Sequence, residues 1–151
     1  METLMKRALD IAHLFYVPRG EMACEPYGTG NINATFCLTV RPWPGAVKRH
    51  LLQRVNPSAF PAPEPMMGNI QRVTHYLRGV IARGGGDPAR ETLTLVRAMD
   101  GRPWITDASG DLWRVYLFIA GTVSTDMPDS TALFAAAGEA FGRFQRPPGG
   151  F

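Results

Sequence analysis

The chain has 151 residues, and nowhere in it do apolar residues run for the about 18 that a membrane helix needs, so a spanning helix is excluded. Cysteine is scarce. Cys24 and Cys37 have neither C-x-x-C nor Cys/His spacing, so no zinc site can be built from them. A secretory signal is missing too: the first apolar stretch, Ala8 to Val17, is broken by Asp10 and His13 and has no small-residue cleavage site. Basic residues are not gathered among aromatics, although the net charge is +3 and the pI near 9.2. Nucleic-acid binding would rest on charge alone and is not expected. These absences point to reduced thiols in a cytoplasmic protein, with neither a membrane nor a nucleic acid as partner. What is present suffices for one ordinary core: 45% of the residues are hydrophobic and 19% charged, over a length suited to one domain with an appendage.

The most informative stretch is Tyr27-Gly28-Thr29-Gly30-Asn31-Ile32-Asn33-Ala34-Thr35-Phe36, a glycine-punctuated turn with flanks that can be extended. Glycine reaches φ > 0 and lets backbone N–H groups approach a ligand closely, as a loop folding over phosphates requires. Downstream, Phe36, Leu38 and Val40 alternate with Cys37 and Thr39 in the manner of a half-buried strand. The same residues also suit a plain hairpin, and taken alone the stretch does not choose between the two. Cys24 and Cys37 flank it and can be neighbours across such a hairpin.

Helical spacing of Leu4, Ala8, Ile11, Ala12 and Phe15 predicts an amphipathic helix over Glu2 to Phe15, stopped near Pro18-Arg19-Gly20. After the Gly loop and its strand, Arg41-Pro42-Trp43-Pro44-Gly45 is a turn and His50 to Val55 the next strand, with His50, Leu52 and Arg54 on one face. Pro57, Pro61, Pro63 and Pro65 impose an extended connector. Met66, Ile70, Val73, Leu77 and Ile81 then resume helical spacing, with Pro65 in the first turn and Gly84-Gly85-Gly86 as the stop. Period two returns at Leu93 and Leu95. Asp100-Gly101 and Asp107-Ala108-Ser109-Gly110 are turns, and Leu112 to Ile119 is a long strand. Beyond Gly121 to Pro128, residues Leu133, Phe134, Ala137, Phe141 and Phe144 form a last amphipathic helix, capped by Asp129 or Ser130. The expected class is α+β: a small antiparallel sheet of about five strands with a flanking helix, plus N-terminal and C-terminal helices.

A Gly loop followed, on the next strand, by a single inward basic residue has a physical logic for nucleotide binding. The loop covers the phosphates, Arg54 neutralises them, and Leu52 packs near the base. At this point a set of ordered stretches matters: Gly30 to Phe36; Leu51-Leu52-Gln53-Arg54-Val55-Asn56 with Phe60; Asp100-Gly101; Asp107 and Gly110 to Tyr116; and Gly142-Arg143-Phe144-Gln145. Together they resemble the aminoglycoside phosphotransferase/choline kinase-like superfamily, and within it the N-acetylhexosamine 1-kinase group, from about Leu4 to Gln145. The resemblance implies a protein-kinase-like N-terminal lobe over 1–119, a hinge over 120–129 and the first helix of a C-terminal lobe over 130–151. It implies a kinase that moves the ATP γ-phosphate to a sugar hydroxyl. Gly28, Thr29, Gly30, Asn31, Ile32 and Asn33 would be its phosphate-covering loop and Arg54 its phosphate cation. Leu117, Phe118, Ile119 and Ala120 would meet adenine. Asn33 stands where a protein-kinase loop carries its third glycine, and Glu64 is the helix carboxylate that would have to reach Arg54.

The same resemblance calls for a His-x-Asp…Asn loop and a metal-binding Asp. The three histidines continue instead as His13-Leu14-Phe15, His50-Leu51-Leu52 and His75-Tyr76-Leu77. Asp126 and Asp129 read as a turn and a helix cap. The expectation is therefore a nucleotide-binding lobe of a truncated or split kinase, inactive alone, with Mg²⁺ bound only alongside a complete C-terminal lobe. The tail Arg146-Pro147-Pro148-Gly149-Gly150-Phe151 cannot continue the last helix. That helix either folds back on the sheet or leaves an apolar face for a C-terminal lobe or for self-association. The second case makes a non-catalytic nucleotide-binding or interaction module the alternative reading.

Overall fold

The computed structural model describes residues 2–30, 32–123, 127 and 129–146. Alternation organises its centre. In β2 (Ala34–Arg41) Phe36, Leu38 and Val40 are buried while Thr35, Cys37 and Thr39 stay partly exposed, because successive strand side chains point to opposite faces. β1 (Glu21–Pro26) and β3 (Lys48–Arg54) flank β2 on its two edges, both antiparallel to it. β6 (Leu112–Leu117) pairs with β3, and the two-residue strands β4 (Leu95–Val96) and β5 (Ile105–Thr106) both pair with β6. The result is a six-stranded antiparallel sheet in the order β1-β2-β3-β6-β4, with β5 also on β6. The class is α+β, as the patterning requires.

Four helices accompany the sheet. α1 (Glu2–Ala12) ends before Phe15, which forms an isolated bridge to Ala98. α2 (Pro63–Arg83) starts earlier than Met66, with proline in the first turn where its missing N–H is not needed. It ends at Gly84, and Gly85 follows at φ +78, the left-handed geometry that closes many helices. α3 (Pro88–Glu91) is a single turn whose N-cap Asp87 accepts a hydrogen bond from the Ala89 N–H at 2.9 Å. α4 (Thr131–Gln145) is capped by Ser130, which accepts from the Leu133 N–H at 3.3 Å. Asp126 and residues 147–151 lie outside the described residues.

Each face of the sheet packs on a different helix. On one, Ala8, Ile11 and Ala12 of α1, together with Phe15, meet Phe36, Leu38, Leu52, Val96, Trp113 and Val115. On the other, Met67 of α2 meets Val55 and Leu112, with Ile70, Leu95 and Trp104 around them. α4 buries no residue: Phe134, Phe141 and Phe144 are 61%, 71% and 52% exposed. No described helix is long and apolar enough to cross a membrane.

Candidate functional site

The Gly loop joins β1 to β2. Its base is closed by the Tyr27 N–H donating to Thr35 O at 2.9 Å. Its far end is tied by Asn33 Oδ1, which accepts the Asn56 N–H at 3.0 Å just beyond β3. Gly28 has φ +77, a conformation that costs an L-residue about 1–2 kcal/mol. Gly30 has no such φ, and a Cβ added there would meet open space. Gly28, Thr29, Gly30 and Ile32 are exposed, and Asn31 lies outside the described residues.

Two residues expected beside this loop face away from α2. Leu52 is 0% exposed, packed in the core under α1, so it is corrected from a base contact to a core residue. Arg54, two positions on, necessarily shares its face. Its Nη1 donates to Asp111 Oδ2 at 3.3 Å, and the same oxygen accepts from Arg7 Nη2 of α1 at 2.8 Å. Arg7 also bonds Asp107, whose Oδ2 accepts Trp113 Nε1 at 2.8 Å. Burial alone would raise the Asp107 pKa, but the bonds from Arg7, Trp113 and backbone N–H groups hold it below the ordinary carboxylate value. Its hydrogen bond to Asp107, and then that to Asp111, raise the pKa of Arg7. Arg54 thus belongs to a two-arginine, two-aspartate clamp that ties α1 to the β5–β6 turn. Asp111 is its carboxylate, whereas Glu64 lies within electrostatic reach of Arg102.

The face toward α2 carries a polar ladder across three strands. Gln53 Nε2 donates to Thr35 Oγ1 at 3.0 Å, and Gln53 Oε1 accepts from Arg114 Nε and Nη2 at 3.0 and 2.9 Å. Arg114 Nη1 lies 3.6 Å from Met67 Sδ, and its Cζ stands 5.2 Å from the centre of the Tyr116 ring. Arg114 forms no ion pair with a carboxylate among the described residues. Desolvation lowers its pKa from the ordinary arginine value. The residue that opens the Gly loop reaches this same face: the Tyr27 ring meets the Phe118 ring edge-on at 5.5 Å, and Arg49 covers Phe118 at 4.1 Å.

No model of a known protein family matches the sequence. The site therefore has to be judged on its own chemistry. Tyr27 at the start of the loop, the Gln53–Arg114 pair and Phe118 at a strand end share one face, which suits a ligand with an anionic part and a flat apolar part. Among the described residues no group of three His, Cys, Asp or Glu side chains comes together.

The residues expected to meet adenine, 117–120, lie at and just beyond a strand end. β6 stops at Leu117, whose N–H donates to Thr94 O at 3.0 Å, and the Phe118 N–H donates to Arg49 O at 3.3 Å. Further on, Ile119 O accepts from Thr122 Oγ1 at 3.2 Å and Ala120 O from Arg90 Nη1 at 2.8 Å. Phe118 is the member of this stretch seen to share an aromatic contact with the loop. Cys24 and Cys37 are free thiols on opposite faces of the hairpin, since Cys24 pairs in register with Leu38. Burial, and then the neighbouring Cys37, push the Cys24 thiol up to about 11. Sequence reasoning passed over Thr35, Gln53 and Arg114 as contributors. The available signal was period two: Gln53 is a polar residue between two positions of the opposite face.

Proposed function

We propose that this chain is the nucleotide-binding lobe of a cytoplasmic small-molecule kinase of the aminoglycoside phosphotransferase/choline kinase-like kind, with an amino sugar as acceptor. The single observation that carries the reading is that Tyr27, at the start of the Gly loop, shares one face of an antiparallel sheet with Gln53–Arg114 and Phe118. Phosphate-covering loop, cation and base-side strand end are the parts that phosphoryl-transfer enzymes arrange around ATP. ATP would lie with its phosphates under the loop and its base toward Phe118. No His-x-Asp sequence occurs in the chain, so these residues bind and orient ATP, and the transfer step needs groups they do not supply.

Isothermal titration of the purified chain with ATP and with adenosine tests this. Saturable binding of both, tighter for ATP, is expected. Absence of binding by either at millimolar ligand would refute it. The exposure of Phe134 and Phe141 on α4 supports an interaction module as the second reading. That reading gains if the chain self-associates in sedimentation while binding no nucleotide.

A further inference from the structure

We infer that Arg114 of β6, and not the third-strand Arg54, is the cation that receives the nucleotide phosphates, with Gln53 as its positioning residue; the inference rests on the nucleotide-binding reading above. The two arginines differ in what already neutralises them. Arg54 shares Asp111 with Arg7, so an anion arriving there would compete with a carboxylate already in place. Arg114 is half-buried and bonds to a neutral amide. A desolvated guanidinium without a carboxylate is stabilised by any anion that reaches it, more strongly than a surface cation would be.

Geometry gives the same assignment. Kinases carry the phosphate cation on the third strand, under the Gly-rich loop. Here the third-strand position on the loop's face is Gln53, an uncharged residue, and its direct register partner on the neighbouring strand is Arg114. The charge has moved one strand sideways. Gln53 Oε1 takes Nε and Nη2, which fixes the plane of the fork, and Thr35 in turn holds the amide. Nη1 is left with a 3.6 Å contact to the Met67 sulfur, a weak acceptor that a phosphate oxygen readily outcompetes. The ligand class is a nucleoside di- or triphosphate, since a nucleoside alone offers this arginine nothing.

The test is titration of the full chain and its variants with ATP, ADP and adenosine, with thermal melting as the folding control. Arg114→Gln is expected to weaken ATP and ADP by about 10-fold or more and to leave adenosine unchanged. Arg54→Gln is expected to bind ATP as wild type does. Adding Gln53→Lys to Arg114→Gln returns a cation to the face and is expected to restore ATP binding, which a purely structural role for Arg114 would not allow. If Arg114→Gln fails to fold, Arg114→Lys and Gln53→Leu serve instead, with the same selective loss of ATP over adenosine. Wild-type ATP affinity in the Arg114 variants, or a loss confined to Arg54→Gln, overturns the inference while leaving the nucleotide reading intact. Binding of neither ATP nor adenosine by the wild type overturns both.

Discussion

The two faces of the sheet treat charge in opposite ways. Beneath α1, arginines and aspartates neutralise one another beside the buried Trp113. Toward α2, Arg114 is held by an amide and pairs with no carboxylate among the described residues. Adjacent residues of β6, Trp113 and Arg114, therefore sit in different settings: the first is in the core, and the second bonds to a neutral amide on the opposite face. A basic residue on a strand says little until its counter-charge is known.

The largest effect that would sharpen this contrast is expected at Trp113. It is fully buried, so Trp113→Ala should cost about 3–5 kcal/mol in urea unfolding, whereas Arg114→Gln should lose ATP affinity with a far smaller stability loss. Comparable destabilisation by the two substitutions would erase the distinction between the faces. Next comes the clamp. Asp107→Ala strands the Trp113 indole N–H and leaves Arg7 with Asp111 alone, and should cost about 1–3 kcal/mol while ATP affinity stays at the wild-type value. A variant that keeps its stability but loses ATP would place the nucleotide on the α1 side.

The smallest expected effect is a pH slope from His50, 4% exposed on the α1 face with Nδ1 unpartnered. Burial, and then Lys48, depress its pKa below the ordinary 6.5. The unfolded chain therefore takes up a proton before the folded one does. Stability contributed by the neutral imidazole is complete above about pH 6.5 and is lost as the pH falls toward the folded pKa. Urea midpoints should decline over that window in the wild type and decline less in His50→Leu. Identical slopes would mean that His50 takes its proton in the closed core at no cost.

Much of the architecture was legible because it is written in short-range periodicity. The alternation at Phe36, Leu38 and Val40, the turns at Asp100-Gly101 and Asp107 to Gly110, and the spacing along α1, α2 and α4 each specify an element without reference to the rest of the chain. α3 escaped notice because a single turn has no period, although Asp87-Pro88 carried its cap and first position. The site was harder to read. Period two groups Leu52 with Arg54 and Leu51 with Gln53, but it cannot say which group faces which helix. In β3 both faces carry a leucine and a polar residue, so only the packing of α1 against one and α2 against the other resolves them. The partner of Arg54 was equally hidden, because Asp111 is 57 residues away in the chain.

That kind of distance also constrains how the protein is made. Arg7 meets Asp107 across 100 residues of sequence, and Phe15 bridges to Ala98. At a synthesis rate of roughly 5–20 residues per second, α1 has left the ribosome about 5–20 s before its partners on the β5–β6 turn exist. During that interval the apolar stripe of Ala8, Ile11, Ala12 and Phe15 can meet Phe36, Leu38 and Leu52, while Val96, Trp113 and Val115 are still to come. α1 thus has part of its seat, on β1 to β3, long before the rest, and the clamp through Arg7 closes only when the β5–β6 turn arrives.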